Sequence, residues 1–185
     1  LADHRPRHSG EETWCGLVQL SGLQLSDNRR DGLAEGAFAS LASLESLSRA
    51  SNRLAYACKA CWRPLRSLYS LDLSGNQIGL IQSENFSPLW NLRKLFLSKN
   101  RAFRVSEHAF VGLHSLDTLK LDGNSLTKLP AMALKSLRFS LKSLDLGRNP
   151  LYRISTDDLA NLPRLTDIRL VNMQRLRFVA RGAVQ

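Results

Sequence analysis

An asparagine recurs along this chain at a nearly constant interval, and this interval limits the possible folds more than any other feature. The repeated residues are Asn28, Asn52, Asn76, Asn100, Asn124 and Asn149, separated by 24, 24, 24, 24 and 25 residues. A frame of leucines precedes them, such as Leu68, Leu71 and Leu73 before Asn76. A fixed interval of this length predicts a stack of similar coils, each made of one repeat.

The placement of leucine predicts what each coil looks like. Leucine makes up 36 of the 185 residues, yet no segment approaches the ~20 consecutive apolar residues of a membrane-spanning helix. The Leu-x-Leu alternation predicts a short strand with its leucines on one side. One coil cannot bury that side alone, so stacked coils must share a core and align their strands in a parallel sheet. The asparagine amide both donates and accepts hydrogen bonds, which suits a ladder that satisfies buried backbone groups after each strand.

The frame L-x-x-L-x-L-x-x-N-x-L, found from residue 20 to about residue 178, resembles the leucine-rich repeat family. The repeat length and the Ala37–Phe38 and Ala109–Phe110 pairs are similar to the typical subclass, which is common in Toll-like receptors, Slit-type guidance proteins and small matrix proteoglycans. The resemblance implies an α/β solenoid, a right-handed superhelix with a parallel sheet on its concave face and irregular or short-helical turns on its convex side. It divides the chain into an N-terminal flank, residues 1–16, and a solenoid of about seven repeats, residues 17–185.

The same resemblance implies a function without catalysis. Such an ectodomain, secreted or on the plasma membrane, recognises a protein ligand or receptor in adhesion, matrix assembly or innate recognition. The sequence carries no Gly-rich phosphate loop, no G-x-S-x-G and no H-E-x-x-H, so we expect no catalytic residue, cofactor, metal or small-molecule substrate. The chain begins at Leu1 without a signal-peptide pattern or a membrane anchor, and we expect a processed chain or a piece of a longer protein.

In this family the ligand usually meets the concave strand face, where the fourth repeat differs from the others. It combines several basic residues with an aromatic one, and the adjacent strands add to both. An aromatic anchor surrounded by cations is typical of a binding hot spot, although an ordinary solvated face has the same composition. The predicted ligand-binding residues are Tyr69, Arg93, Lys94, Phe96, Lys99, Arg101 and Lys120.

The overall charge gives an alternative to a protein ligand. The chain has 26 Lys and Arg against 16 Asp and Glu, a net charge of +10. An excess of this size favours an acidic partner. The alternative function is therefore binding of a polyanion, either a glycosaminoglycan such as heparan sulfate or a nucleic acid, through the basic concave patch.

The three cysteines leave several interpretations open. Cys58 and Cys61 form a C-x-x-C motif, which occurs in redox pairs and in halves of zinc sites. No second half of a zinc motif exists, and we favour structural cysteines that are packed in the convex half or paired with each other or with Cys15. His4 and His8 have the spacing of a helical metal site, but Pro6 between them argues against a helix.

Two arginines and one possible glycosylation site depart from the regular repeat pattern. Arg30 and Arg49 stand at positions where the frame calls for an apolar residue. A buried charge is costly, so we expect either distorted coils or guanidinium groups that extend to the solvent. Asn85-Phe86-Ser87 fits the glycosylation sequon, which predicts a glycan on Asn85, on the return half of its repeat and away from the concave face.

Overall fold

The computed structural model describes residues 14–29, 31–32 and 34–181, which form the predicted parallel-strand solenoid. His4, His8 and Arg30 lie outside these residues. The elements in chain order are β1 (Gly22–Gln24), β2 (Ser46–Ser48), β3 (Ser70–Asp72), β4 (Leu80–Ile81), β5 (Lys94–Phe96), β6 (Arg104–Val105), β7 (Thr118–Lys120), α1 (Ala131–Leu134), β8 (Ser143–Asp145), β9 (Arg153–Ile154), β10 (Asp167–Arg169) and β11 (Phe178–Val179). Three 3₁₀ turns, Ala60–Trp62, Lys135–Leu137 and Thr156–Asp158, complete the convex side.

One strand from each coil enters the main sheet, in the order β1-β2-β3-β5-β7-β8-β10, and all its pairs are parallel. The register places leucine opposite leucine, as in Leu47 opposite Leu71 and Leu95 opposite Leu119. In β3, β5, β7 and β8 the central leucine is buried while its two neighbours are half-buried. The prediction of strands with period two is confirmed, and the polar neighbours of each leucine form the concave face.

Aromatic side chains fill the core behind the sheet. Phe38, Trp62, Phe86 and Phe110 occupy equivalent positions in successive coils, and each is fully buried. The rings of Phe38 and Trp62 stack at a centroid distance of 6.4 Å. Because these positions follow each asparagine by ten residues, the core is as periodic as the sequence. Trp14, which precedes the boundary predicted at residue 17, packs partly against this core, and that boundary stays a prediction.

Arg49 does not behave as expected. Its side chain is fully buried, so the guanidinium does not extend to the solvent. The coil is not distorted either, because the Arg49 N–H donates to Asp72 O at 2.8 Å and β2 keeps its register with β3. The guanidinium Nη2 instead lies 3.4 Å from Gly32 O, inside the first turn. The coil therefore accommodates a cation within its interior, which both predicted alternatives excluded.

Two smaller sheets run along the side of the solenoid that follows the main strands. The first pairs β4 with β6, and the second pairs β9 with β11. In the first, the Ser106 N–H donates to Ile81 O at 2.8 Å. The equivalent residue one coil later is Pro130, which has no N–H to donate. Pairing along this side is therefore interrupted at the fifth coil, between β6 and β9.

Candidate functional site

The asparagines hold successive coils together beneath the concave face. Four of the asparagines make the same set of hydrogen bonds. Each donates through Nδ2 to a carbonyl of its own coil and to one of the preceding coil, and each accepts a backbone N–H at Oδ1. They are Asn76, Asn100, Asn124 and Asn149. For Asn100 the partners are Leu97 O at 3.1 Å, Leu73 O at 3.0 Å and Ile78 N at 3.1 Å. Asn52 is also buried and donates to Leu25 O and Arg49 O. These bonds fix the spacing of the strands that carry the candidate site.

Asn28 differs from the other five asparagines. Its side chain is exposed, and Nδ2 donates to Ser26 O at 3.0 Å, within its own turn. The buried positions in the later coils each bridge to the coil before them. The structure thus places five of the six predicted ladder residues in a buried row, and Asn28 at its exposed end.

The backbone explains why the pattern shifts in the seventh repeat. The residue immediately before the ladder position has a positive φ in every coil, as at Ser51, Lys99 and Arg148, with φ of 52° to 55°. Asn172 takes this conformation, with φ of 55°. The ladder position itself then falls on Met173, which is partly buried against the core. Asparagine tolerates the left-handed region well, so Asn172 serves the turn and not the ladder.

Three neighbouring strands bring most of the predicted ligand-binding residues together. The register places Asp72, Phe96 and Lys120 side by side on β3, β5 and β7. The Arg93 and Lys94 N–H groups both donate to Tyr69 O, at 2.8 and 3.0 Å. We call the group Tyr69, Arg93, Lys94, Phe96 and Lys120 the concave patch.

Cations lie over both aromatic rings of the concave patch. Arg93 Cζ lies 5.9 Å and Lys94 Nζ 5.6 Å from the centre of the Tyr69 ring. Lys120 Nζ lies 5.4 Å from the centre of the Phe96 ring. These distances are within the range of cation–π attraction, which orders long side chains before a ligand arrives. Tyr69 nevertheless remains 42% exposed, so its ring is available for contact.

Lys99 and Arg101 lie apart from this patch. Both are exposed and belong to the turn after β5, where the Lys99 N–H donates to Asp122 O and the Arg101 N–H donates to Ile78 O. The turn carries them off the strand face towards the side of the solenoid. The prediction assigned every variable position of the fourth repeat to the concave face, but these two residues follow the strand and lie in the turn.

The concave face as a whole is electrically balanced. Its strand residues, with the residue before each strand, include five basic and five acidic side chains from β2 to β10. They are Arg93, Lys94, Lys120, Lys142 and Arg169 against Glu45, Asp72, Asp117, Asp145 and Asp167. The excess of positive charge in the chain therefore lies elsewhere.

The cysteine motif is a disulfide on the return half of the second coil. Cys58 and Cys61 are bonded to each other, with Cα atoms 5.3 Å apart, and Cys61 is fully buried. Cys15 is exposed and outside this bond. Within the described residues, no group of three or more His, Cys, Asp or Glu side chains is arranged to hold a metal ion. The pairing that the sequence left open is thus Cys58 with Cys61.

The prediction of a glycan on Asn85 does not fit the folded chain. Asn85 is 5% exposed. Its Nδ2 donates to Ala57 O at 2.8 Å, and its Oδ1 accepts the Gln82 N–H at 2.9 Å. The nitrogen that would carry the glycan is therefore inside, where it stabilises the turn after β4. A sequon shows the local sequence but not whether the amide faces the solvent.

Glu84 in the same turn forms an ion pair outside the concave patch. Its carboxylate accepts a hydrogen bond from Lys59 Nζ at 2.7 Å. This hydrogen bond and the charge of Lys59 hold the pKa of Glu84 below its ordinary value, and the charge of His108 acts in the same direction. Because the folded pKa is lowered, the associated stability is present above the ordinary pKa of a glutamate and is lost as the pH falls through the lowered value.

We expect Lys59→Met to raise the pKa of Glu84 towards its ordinary value, because it removes both the hydrogen bond and the charge. A carboxyl ¹³C NMR titration measures this shift directly. Lys128→Met, which removes a cation two coils further along the solenoid, is the control and leaves the titration unchanged. An unaltered Glu84 pKa in Lys59→Met would show that the ion pair does not persist in solution.

Comparisons with known proteins agree with this geometry. The sequence profile described as leucine rich repeat matches residues 66–126 and 116–174, more than half of the chain. The fold is similar to that of TLR13 in a crystal structure of the TLR13–ssRNA13 complex, with 27% identity, a TM-score of 0.83, and coverage of 91% of this chain and 24% of that one. A structure of the Drosophila Toll–Spatzle complex in glycosylated form is also similar, with 17% identity, a TM-score of 0.83, and coverage of 94% and 23%.

The chain spans about a quarter of the length of these two solved chains. No curated protein gives a significant match. Across the described residues, no helix combines the length and apolar character needed to cross a bilayer. The repeat register, the asparagine row and the matched profile together show that the chain belongs to the leucine-rich repeat family.

Proposed function

We propose that this chain is a non-catalytic recognition segment of an extracellular leucine-rich repeat ectodomain, and that its concave patch contacts a protein ligand. The observation that carries the proposal is the pair of aromatic rings held under cations on adjacent strands, Tyr69 under Arg93 and Lys94 and Phe96 under Lys120. Aromatic and Arg side chains supply most of the energy in protein interfaces. A rigid sheet that already orders these side chains reduces the entropy cost of binding.

The charge of the concave face favours a protein over a polyanion at this surface. Acidic residues flank the patch on both sides, as Asp72 on β3 and Asp117 before β7. Asp72 Oδ1 accepts the Ser74 N–H at 2.8 Å, which fixes its negative charge beside the patch. A polyanion would meet these carboxylates as well as the cations, whereas a protein surface offers both signs of charge for complementary contacts.

The similar structures support ligand recognition as the general role. TLR13 is seen with ssRNA13, and Toll is seen with Spatzle. Both chains use a fold with a TM-score of 0.83 to this one, so proteins with this architecture bind macromolecules of more than one class. We infer an extracellular location from the same likeness.

A random-peptide phage library selected against the chain tests the concave patch. We expect selected peptides to bind the unaltered chain and to lose about tenfold or more in affinity for Tyr69→Ala/Phe96→Ala, as for truncated hot-spot aromatics. Their affinity should change little between about 50 and 200 mM salt, because few counterions are released by a balanced surface. Surface plasmon resonance with the individual peptides measures both.

Phe139→Ala is the matched control, since Phe139 is 70% exposed and has Arg138 over its ring, 4.5 Å from the centre. It shares the chemistry of the patch but lies after the 3₁₀ turn of the fifth coil, off the main sheet. Peptides that bind Tyr69→Ala/Phe96→Ala as well as the unaltered chain would contradict the proposal.

A further inference from the structure

The positive charge of the chain is concentrated on the side of the solenoid that follows the main strands. The turn segments of the last four coils there, residues 99–105, 123–130, 147–155 and 171–181, contain nine Lys and Arg and no Asp or Glu. This contrasts with the balanced concave face. An uninterrupted field of one sign attracts an oppositely charged chain and orients it along the side.

Backbone hydrogen bonds place these segments one above another. The Ser125 N–H donates to Ala102 O, the Tyr152 N–H to Thr127 O, and the Arg177 N–H to Tyr152 O, at 2.9, 3.3 and 3.0 Å. The segments that carry these cations therefore lie next to one another across four coils. We call the following residues the basic flank: Arg101, Phe103, Arg104, Lys128, Tyr152, Arg153, Arg175, Arg177 and Phe178.

Exposed aromatic rings are interleaved with these cations. Phe103 is 63% exposed, Tyr152 45% and Phe178 54%. Phe103 packs over Gly79 of the preceding coil, where an added Cβ would lie 3.3 Å from the ring. The other two rings are held by arginines, since Arg153 Cζ lies 5.7 Å from the centre of the Phe178 ring and Arg175 Nη1 donates to Tyr152 Oη at 3.1 Å. Exposed rings fixed in this way offer flat apolar surfaces to a ligand.

The interruption at Pro130 opens a cleft beside the first of these rings. The cleft has a volume of about 220 Å³, and its lining includes Phe103, Arg104, Lys128 and Pro130. One aromatic face and two cations thus line the same recess. A planar ring carried on an anionic backbone matches this arrangement, because the ring can lie in the recess while the backbone passes the cations.

We propose that the basic flank binds a single-stranded nucleic acid, with phosphates on the cations and bases stacked on Phe103, Tyr152 and Phe178. A track of cations interleaved with aromatic platforms is the arrangement that binds single strands without reading their sequence. A sulfated polysaccharide would use the same cations but has no aromatic bases to stack on the rings. The basic flank shares no residue with the concave patch. A negative result for nucleic-acid binding on the flank therefore does not bear on protein recognition by the patch, and the reverse is also true.

Fluorescence anisotropy with a labelled oligothymidylate of about 16 nucleotides tests the proposal. We expect binding that weakens steeply with salt, and a slope of log affinity against log salt that falls by about 2 in Arg104→Ala/Lys128→Ala/Arg153→Ala. Phe103→Ala/Phe178→Ala should weaken oligothymidylate binding about fivefold or more for each ring. The same double variant should leave binding of an abasic oligonucleotide of equal length unchanged, since that probe has phosphates but no bases.

Matched controls lie on the opposite side of the coil. Arg63→Ala/Arg66→Ala removes two exposed cations, and Phe139→Ala removes an exposed ring under an arginine; neither should alter oligothymidylate binding. Circular dichroism verifies that every variant is folded. Equal binding of the oligothymidylate by Phe103→Ala/Phe178→Ala and the unaltered chain overturns the stacking, and binding of a heparin octasaccharide without oligothymidylate binding overturns the choice of ligand.

Discussion

Replacing Asn100 by alanine is expected to lower the free energy of unfolding by about 3 kcal/mol, because hydrogen bonds are lost inside the solenoid. Nδ2 of Asn100 donates to Leu73 O and Leu97 O, and Oδ1 accepts the Ile78 N–H at 3.1 Å. Asn76 and Asn124 still donate to those carbonyls, but the buried Ile78 N–H is left without its acceptor. Urea denaturation followed by circular dichroism measures the loss.

Asn28→Ala is the matched control, since Asn28 is the exposed member of the row and donates within its own turn. We expect its effect to stay within about 0.5 kcal/mol, as for most surface substitutions. Asn100→Asp separates the two roles of the side chain, because a carboxylate keeps the hydrogen-bond acceptor but loses both amide donors. Equal losses in Asn28→Ala and Asn100→Ala would show that the buried row does not hold the coils together.

Gly112→Ala is expected to destabilise the chain by about 3 kcal/mol, through backbone strain and overpacking together. Gly112 has a φ of 92°, which side chains other than glycine rarely adopt. An added Cβ would lie 2.7 Å from Ser87 O and 2.8 Å from Ser87 Cα in the preceding coil. Because these are backbone atoms, relief requires the third and fourth coils to move apart. Thermal and urea unfolding both report the change.

Gly123→Ala is the control for this substitution. Its φ is 67°, but Lys99 and Arg148 hold the equivalent place in adjacent coils with φ of 52° and 55°. The nearest atom to an added Cβ is Lys99 Cγ at 3.3 Å, part of a flexible side chain. We expect a loss of about 1 kcal/mol, the ordinary cost of a left-handed residue. A loss in Gly112→Ala no larger than that in Gly123→Ala would contradict the close approach to Ser87.

The concave patch was partly predictable from the sequence. A period of 24 residues places Tyr69, Arg93 and Asp117 in one column of a parallel sheet, and the strand positions follow from the leucines. Tyr69, Phe96 and Lys120 could therefore be grouped from their numbers alone. The same reasoning could not follow Lys99 and Arg101 around the turn, because a single residue with positive φ redirects every side chain after it.

Apart from Arg101, the basic flank lies outside the sequence prediction, which covers the strand of each repeat and only the turn directly after it. A signal was nevertheless present: residues 99–105, 123–130, 147–155 and 171–181 lack acidic residues and carry Phe103, Tyr152 and Phe178. Their alignment into one track depends on backbone bonds between coils, such as Tyr152 N–H to Thr127 O. The cleft at Pro130 likewise requires knowledge of the bond that Ser106 makes one coil earlier.

The amino-acid sequence by itself determined the length of the coil, the position of each main strand and, apart from the exposed Asn28, the residues of the buried row. These features follow from a repeated pattern, because each coil contacts its neighbours in the same way. The leucines can be buried only between stacked coils. Only the tertiary structure decided that Arg49 is buried, that Asn85 faces inward, that Cys58 pairs with Cys61 and that Gly112 touches Ser87. Each of these depends on distances between particular atoms, within one turn for Cys58 and Cys61 and between coils for the others, which a one-dimensional repeat does not contain.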